Sequence, residues 1–192
     1  MRIILASASP RRAELLRAAG CDFEIAAPHV DESIRDGESP DRYVRRLAAD
    51  KSAAAMARLP GRDYVVIGAD TTVVVAGETL GKPLDDREAS AMLRRLSGRR
   101  HTVLTGVSLR RATHELGRVE ATAVEFSALS EDDIAWYVAS GEWRDKAGAY
   151  AIQGLASRFI PRIDGSYSNV VGLPIACVFE LLAGISGLKS TG

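Results

Sequence analysis

A continuous apolar run, Tyr64 to Ala69 in "YVVIGAD", constrains the fold of this chain more than any other stretch. The run closes on a charged residue, Asp70. Such a pattern is typical of a strand that is buried on both faces, and strands of this kind belong to sheets with both faces covered. The run therefore predicts a central strand, with Asp70 at its carboxyl end.

The remaining patterns predict helices and hairpins in alternation. Ser9-Pro10 and Ser39-Pro40 mark two helix starts, because serine is a favoured N-cap and proline suits the first helical position. A hairpin is expected to turn at Ala76-Gly77. Further helices are predicted over 86–97, 130–140 and 174–183, and further strands over 2–6, 22–27, 101–111, 118–128 and 158–163. Together these patterns indicate an α/β fold with a mixed sheet, which differs from a simple parallel Rossmann domain.

Composition excludes several classes of function. The 192 residues suffice for one large domain or two small lobes, and 25 basic residues balance 25 acidic ones. This balance argues against bulk electrostatic binding to nucleic acid or to an anionic membrane, but it leaves room for a small anion. Two cysteines without paired spacing indicate a reduced compartment and no zinc site. The longest apolar run is broken by Pro174 and Glu180, so we expect no membrane span and a cytoplasmic protein.

Lys51 is out of place in the second predicted helix. At helical spacing it falls in the middle of an apolar arc that includes Leu47 and Ala55. One interpretation is a lysine whose stem covers apolar surface while its ammonium reaches water. The other is an ammonium that points into a cleft, where burial without a partner would be costly and an anion is implied.

Several acidic residues could hold a hard cation. Asp70 ends the predicted central strand, and ligands of α/β proteins bind at the carboxyl ends of strands, although "DTT" could also begin a turn. Asp31 and Glu32 are adjacent in a loop and, taken alone, form a solvated turn. With Asp70 they could bind Mg²⁺, which favours one or two carboxylates together with substrate phosphates. Lys82 in "LGKP", taken alone, is a loop lysine.

Two arginines, Arg11 and Arg12, stand in the first turn of the first helix, where the helix dipole disfavours cations. We expect Leu15 and Ala19 to mark the buried side of this helix, which the two arginines flank. They are either surface arginines or the ligands of an anion at the helix N-terminus. Such an anion would also contact free backbone N–H groups and the hydroxyls of Ser7 and Ser9. Carboxylates, many cations and helix-end donors together suit a polyphosphate with a divalent metal.

The chain resembles the Maf family of nucleoside triphosphate pyrophosphatases over nearly its whole length. The segments that carry the resemblance are "LASASPRRAELL", "YVRRLAADKSAA", "IGADTTVVVAGETLGKP", "MLRRLSGRRHTVLTGV", "DKAGAYAIQGLASRFI" and "GSYSNVVGLP". The resemblance implies a single Maf-like domain over residues 1–192, with an elongated mixed sheet and two lobes around a cleft, similar to inosine triphosphate pyrophosphatases. It also implies hydrolysis of a nucleoside triphosphate to the monophosphate and pyrophosphate with a divalent metal, Mg²⁺ or Mn²⁺. Homodimers are common in the family, so a homodimer is expected.

The resemblance further indicates the branch that acts on dTTP and UTP, because "AGAYAIQGLASRFI" and "GSYSNVVGLP" match it. It assigns substrate specificity to Arg11, Thr71 and Gln153. A glutamine amide both donates and accepts a hydrogen bond, which suits the imide edge of thymine or uracil.

The roles of the remaining residues are hypotheses for an attack of water on the α-phosphorus. Asp70 would either accept the proton or activate the water with the support of the metal. Glu32, together with Asp70, would hold the metal, although which of Asp31 and Glu32 serves stays open. The predicted phosphate ligands are Ser7, Ser9, Arg12, Lys51 and Lys82, with Arg11 beside them. Two alternatives remain: a 7-methyl-GTP pyrophosphatase of the same family, and a nucleotide-binding regulator of septum formation with little catalysis.

Overall fold

The structure, a computed structural model, describes residues 2–60 and 64–187. The helices are α1 (Pro10–Ala18), α2 (Pro40–Met56), α3 (Asp86–Leu96), α4 (Glu131–Ala139), α5 (Tyr167–Val171) and α6 (Ile175–Ser186). The strands are β1 (Arg2–Leu5), β2 (Glu24–Ile25), β3 (Tyr64–Val75), β4 (Glu78–Leu80), β5 (Arg100–Arg111), β6 (His114–Glu125) and β7 (Arg162–Asp164). Two short 3₁₀ segments span Ala147–Ala149 and Leu155–Phe159.

The seven strands form one mixed sheet in the order β2-β1-β3-β5-β6-β7, with β4 paired to β3. Strand β1 is parallel to both β2 and β3, whereas β4 is antiparallel to β3 and β7 is antiparallel to β6. The predicted α/β class with a mixed sheet and flanking helices is therefore confirmed. In the described ranges, no helix combines the length and the apolar character needed to cross a bilayer.

The chain divides into two compact units, each described by itself below. Unit 1 takes its described residues from the ranges 1–70, 105–120 and 172–192, and unit 2 takes them from 71–104 and 121–171. The cleft implied by the family resemblance stays a prediction, as does a single domain over residues 1–192.

Unit 1 is layered, with helices packed on both faces of its strands. Alternate residues of β3, among them Val65 and Ile67, share a core with α1 and α6, in which Leu16 and Val178 are fully buried. The β3 side chains that point to the other face of the sheet, such as Val66, pack with Ile4 and with Ala55 of α2. This period of two, with apolar side chains in both directions, is what the unbroken apolar run predicted.

Two glycines allow α2 to approach the sheet closely. A Cβ built on Gly68 of β3 would lie 2.2 Å from the carbonyl oxygen of Ala48, and one on Gly106 of β5 would lie 2.1 Å from that of Val44. Neither contact is sterically tolerable, so each position must lack a side chain for the helix to sit at this depth. The glycines thereby fix how near the α2 side chains come to β3.

Unit 2 confirms several local predictions. The β3–β4 hairpin turns at Ala76 and Gly77, both with positive φ (50° and 80°), as a tight hairpin turn requires. Helix α4 begins with the predicted capping box, in which the Ser130 hydroxyl accepts from the Asp133 N–H and the Asp133 carboxylate accepts from the Ser130 N–H.

Three sequence predictions about elements were wrong in detail. Strand β3 does not end at Asp70 but continues to Val75, because "TTVVV" is as β-prone as the run before it. The strand predicted over 158–163 is a 3₁₀ segment followed by the short β7. Helix α1 buries Arg12, Ala13 and Leu16 rather than a face centred on Leu15 and Ala19.

Buried His101 in unit 2 makes the stability of the protein depend on pH. It is 3% exposed, and its Nε2 lies 2.8 Å from the Tyr150 hydroxyl. Burial lowers the pKa of His101 from 6.5 to about 4. Between these values the unfolded chain binds a proton that the folded chain does not, so stability falls as the pH falls through this window.

We expect His101 to remove about 2 kcal/mol of unfolding free energy between about pH 7 and about pH 5. Urea unfolding at the two pH values measures this loss. The His101→Phe variant keeps a ring against Phe126 and Tyr150, whose centroids lie 5.2 and 5.4 Å from that of His101, but it cannot titrate. Its pH dependence should be shallower by the same amount, and equal slopes for the two proteins would contradict the assignment.

Candidate active site

Lys51 of α2 lies at the centre of the candidate site, which is in unit 1. The residue is 9% exposed, and its Nζ lies 2.7 Å from Asp70 Oδ1 and 2.7 Å from Glu32 Oε1. A buried ammonium needs partners, and two carboxylates supply them. The prediction that Lys51 lies on the buried side of its helix is confirmed, and its charge is paired with acidic side chains.

Asp70 reaches Lys51 because of the geometry of β3. Asp70 and Gly68 are two residues apart and therefore share one face of the strand. The α2 backbone lies directly over Gly68. The Lys51 side chain therefore needs only to run along the sheet to reach Asp70, the next residue on the same face. At 8% exposure, Asp70 is as shielded from solvent as the lysine.

Of the two adjacent acidic residues in the loop before α2, Glu32 is the one at the site. Its carboxylate binds Lys51, whereas Asp31 Oδ1 accepts a hydrogen bond from the Ser33 N–H at 2.9 Å. That hydrogen bond lowers the pKa of Asp31. The turn made by Asp31 thus leaves Glu32 to face the helix.

The donor set fits a hard divalent cation. Glu32 and Asp70 each place a carboxylate oxygen within 2.7 Å of one point, the Lys51 Nζ. Oxygen ligands are those that Mg²⁺ and Mn²⁺ prefer, and Mg²⁺ usually uses only one or two carboxylates. No cluster of three or more His, Cys, Asp or Glu suited to a metal occurs in the part of the chain that the structure describes. A bound cation would therefore complete its coordination with water and phosphate oxygens.

Arg12 is buried, and its hydrogen bonds to two backbone carbonyls serve the fold. It is 9% exposed, its Nε donates to the Gly172 carbonyl at 2.7 Å, and its Nη1 donates to the Ala69 carbonyl at 2.8 Å. Arg12 thereby ties α1 to β3 one residue before Asp70. Its role as a phosphate ligand stays a prediction.

The serines of the β1–α1 loop also lie in unit 1. Ser7 is 7% exposed, and its Oγ lies 3.2 Å from both Arg12 Nη1 and the Ser9 N–H. Ser9 occupies the N-cap position of α1 with Pro10 after it, as predicted, but its hydroxyl makes no capping hydrogen bond. The N-terminus of α1 therefore keeps backbone donors that the Ser9 side chain does not satisfy.

Charges of both signs act on one another across this cluster. Burial lowers the pKa of Arg12 and the charge of Arg11 adds to that decrease, while Asp70 and Glu32 oppose it. Burial, together with the negative charges of Asp70 and Glu32, raises the pKa of Tyr43 to about 12. A phosphate bound beside Arg11, Arg12 and Lys51 would reduce the repulsion among these cations.

The other predicted site residues belong to unit 2. Thr71 follows Asp70 in β3, and Lys82 is exposed in the segment after β4. The Gly81 carbonyl, next to Lys82, accepts a hydrogen bond from the Gly148 N–H at 2.9 Å, which anchors the Lys82 segment. The predicted roles of Thr71 and Lys82 stay predictions.

Gln153 is exposed at the tip of a turn that buried Tyr137 and half-buried Glu142 hold. The Tyr137 hydroxyl accepts from the Ala151 N–H at 3.2 Å and donates to Glu142 Oε2 at 2.8 Å. On the other side of Gln153, the Glu142 carboxylate accepts from the Leu155 N–H at 2.9 Å. The backbone on both sides of Gln153 is thus fixed, and its amide faces outward.

Sequence reasoning missed the groups that support the site. Arg46 and Glu38 pair at 2.6 Å with side chains that are 14% and 8% exposed. In the sequence, a charged residue in a helix such as Arg46 cannot be distinguished from one on a solvated face. The sequence offered one signal for this pair, namely an acidic residue just before α2 and an arginine within the helix.

The family model for Maf-like proteins matches residues 2–185 of this chain. Three relatives are each named dTTP/UTP pyrophosphatase. The one from Syntrophus aciditrophicus is 49% identical over 100% of this chain and 93% of the relative, and the one from Symbiobacterium thermophilum is 54% identical over 94% and 92%. The one from Escherichia coli O157:H7 is 47% identical over 97% of this chain and 94% of the relative. The similarity thus extends over all the segments that carry the resemblance in the sequence.

Proposed function

The chain belongs to the family of Maf-like proteins, and on this basis we propose that it is a nucleoside triphosphate pyrophosphatase that hydrolyses dTTP and UTP. The products are the nucleoside monophosphate and pyrophosphate. Three relatives that are 47% to 54% identical carry the name dTTP/UTP pyrophosphatase, which supports the choice of substrates. The observation that carries the chemistry is the cluster in which buried Lys51 lies between buried Asp70 and the more exposed Glu32.

In the proposed reaction, water attacks the α-phosphorus and the bond from that phosphorus to the bridging oxygen breaks. The Asp70 carboxylate accepts the proton of the water, and pyrophosphate leaves with the bridging oxygen. Lys51 and Lys82 neutralise charge on the phosphates, and Arg11, Arg12, Ser7 and Ser9 bind phosphate oxygens. Catalysis of this kind depends on positioning and on charge neutralisation.

A divalent cation, Mg²⁺ or Mn²⁺, is part of the proposal, with Glu32 and Asp70 as its protein ligands. When bound, such an ion would withdraw charge from the phosphate oxygens. Lys51, which lies 2.7 Å from both carboxylates, would then turn its ammonium to a phosphate. A cytoplasmic location and a homodimer stay predictions.

A nucleotide panel tests the proposed function. Purified protein is incubated with dTTP, UTP, 7-methyl-GTP and ATP in the presence of Mg²⁺ or Mn²⁺, and pyrophosphate and monophosphate are both measured. We expect turnover of dTTP and UTP to exceed that of the other two. Preference for 7-methyl-GTP would favour the other branch of the family, and nucleotide binding without hydrolysis would favour a regulator of septum formation.

The Gln153→Ala variant tests base recognition. We propose that the Gln153 amide pairs with the imide edge of thymine or uracil, so its loss should lower kcat/KM for dTTP and UTP by about tenfold to a hundredfold. Because Gln153 is exposed, the melting temperature should not change. The Gln153→Glu variant keeps an acceptor but loses the donor, and it should be similarly impaired. Unchanged kcat/KM in both variants would contradict the assignment.

A further inference from the structure

The loop of residues 31–38, called here the acidic loop, carries Glu32 to the candidate site. It lies between β2 and α2 without helix or strand, and residues 31–37 are exposed. Loops of this kind sample many conformations unless contacts restrict them. Yet Glu32 Oε1 lies 2.7 Å from the Lys51 Nζ, so some part of the molecule must restrict this loop.

Arg46 of α2 donates three hydrogen bonds that restrict it. Its Nε donates to Glu38 Oε1 at 2.6 Å, and its Nη2 donates to Glu38 Oε2 at 2.7 Å. The same Nη2 donates to the Ser33 carbonyl at 2.9 Å. One guanidinium therefore holds both ends of the acidic loop, and the Ser33 contact adjoins Glu32.

Tyr43 adds a contact at Glu32 itself. Its hydroxyl donates to the Glu32 carbonyl at 3.0 Å, and its ring centroid lies 5.7 Å from the Arg46 guanidinium carbon. Tyr43 and Arg46 are three residues apart on α2 and therefore lie on the same side of the helix. Both project from the helix that also carries Lys51.

The pairing of Arg46 with Glu38 is unusually well shielded for a loop contact. The two side chains are 14% and 8% exposed, and the contact is bidentate. Bidentate, charge-assisted hydrogen bonds are strong and fix orientation, whereas exposed pairs contribute little. The contact with Arg46 also lowers the pKa of Glu38 to about 2, so the pair stays ionised at neutral pH.

We propose that Arg46, with Glu38 as its partner, is a positioning residue that holds the acidic loop on α2 and so keeps the Glu32 carboxylate in place to bind a divalent cation. The inference rests on the proposed function for the role of Glu32 as a cation ligand. Arg46 acts through Glu32, because its own donors are directed to Glu38, Ser33 and Asp50. Its effect should therefore fall on cation affinity more than on the chemical step.

Arg45 provides a matched control on the same helix. It also pairs with a glutamate, since its Nη2 lies 2.8 Å from Glu115 Oε2, but Glu115 belongs to β6. Arg45→Met and Arg46→Met therefore each remove one helix–glutamate ion pair, and only the second releases the acidic loop. Arg46→Met also removes the contact of Nη1 with Asp50 at 3.5 Å, which lies within α2. The Glu38→Gln variant weakens the same contact from the loop side and leaves α2 unchanged.

The experiment measures three quantities in the full chain. These are amide hydrogen exchange over residues 31–38 without metal or nucleotide, the Kd for Mn²⁺ from electron paramagnetic resonance, and kcat for dTTP at saturating Mn²⁺. For Arg46→Met we expect exchange at least about tenfold faster and a Kd at least about tenfold higher, with kcat within about threefold of the wild type. Arg46→Lys should recover part of the affinity, since an ammonium keeps the charge without the bidentate fork.

Several results would overturn the inference. A Kd for Mn²⁺ that is unchanged in both Arg46→Met and Glu38→Gln would do so, as would an equal rise in Arg45→Met. Faster exchange with unchanged Mn²⁺ affinity would show that the loop contact does not serve the cation. Hydrogen exchange and Mn²⁺ binding are measured without nucleotide. If the wild-type protein proved inactive, the proposed function would be contradicted, and these two measurements would still decide the role of Arg46.

Discussion

The Asp70→Asn variant is expected to lose about 10³-fold in kcat for pyrophosphate release from dTTP, because an amide cannot accept the proton of the attacking water. The fold should survive. Asparagine has nearly the shape of aspartate and keeps an oxygen acceptor, and Lys51 keeps a full carboxylate partner in Glu32 at 2.7 Å. A coupled pyrophosphate assay measures the rate, and a thermal melt measures the fold.

Asp31→Asn is the matched control for that experiment. Its side chain keeps an oxygen to accept from the Ser33 N–H, and it removes a negative charge next to Glu32 without touching Lys51. We expect kcat within about threefold of the wild type, because a loop carboxylate that is exposed is well screened. Near-wild-type turnover in Asp70→Asn would remove Asp70 from its proposed role, and a large loss in Asp31→Asn would reopen which acid serves the site.

The sequence predicts those parts of the site that a period or a spacing reveals. Lys51 was identified because it breaks an apolar arc of α2, and its burial follows from the same arc. Asp70 was identified for a reason that is only half right: it does follow the apolar run, but β3 continues for five more residues. The residues before and after Asp70 are equally β-prone, so local preference does not show where the strand ends. Pairing with other strands decides that.

Long-range contacts explain what the sequence did not predict. Arg12 looked misplaced against the dipole of α1, yet its hydrogen bonds join it to carbonyls 57 and 160 residues away. Glu32 was not distinguishable from Asp31 until a turn at Ser33 directed one of them to the helix. The 3₁₀ segment over Leu155–Phe159 replaces part of a predicted strand, since the Glu142 carboxylate binds the Leu155 N–H. The partners of Arg12 and of Leu155 are distant in the sequence, so no local pattern encodes them.

The Gly68→Ala variant is expected to lose about 3 kcal/mol of unfolding free energy and at least about tenfold in kcat/KM. The added Cβ would lie 2.2 Å from the Ala48 carbonyl oxygen and 2.8 Å from the Ser52 backbone nitrogen. Both atoms belong to the α2 backbone, so no side chain can rotate away and the helix itself must move. Urea unfolding measures the first loss, and dTTP turnover measures the second.

Two comparisons separate this effect from the general cost of replacing a glycine. In Gly81→Ala the Cβ meets no atom within 4 Å, so stability should stay within about 0.5 kcal/mol of the wild type. In Gly106→Ala, on strand β5, the Cβ meets the Val44 carbonyl oxygen at 2.1 Å. This variant should therefore also lose both stability and kcat/KM. If Gly68→Ala were as stable and as active as Gly81→Ala, the close approach of α2 to β3 could not be what brings the Lys51 ammonium to Asp70. If both close-contact variants lose activity together, the depth of α2 over the sheet is a condition for the ion pair on which the proposed chemistry depends.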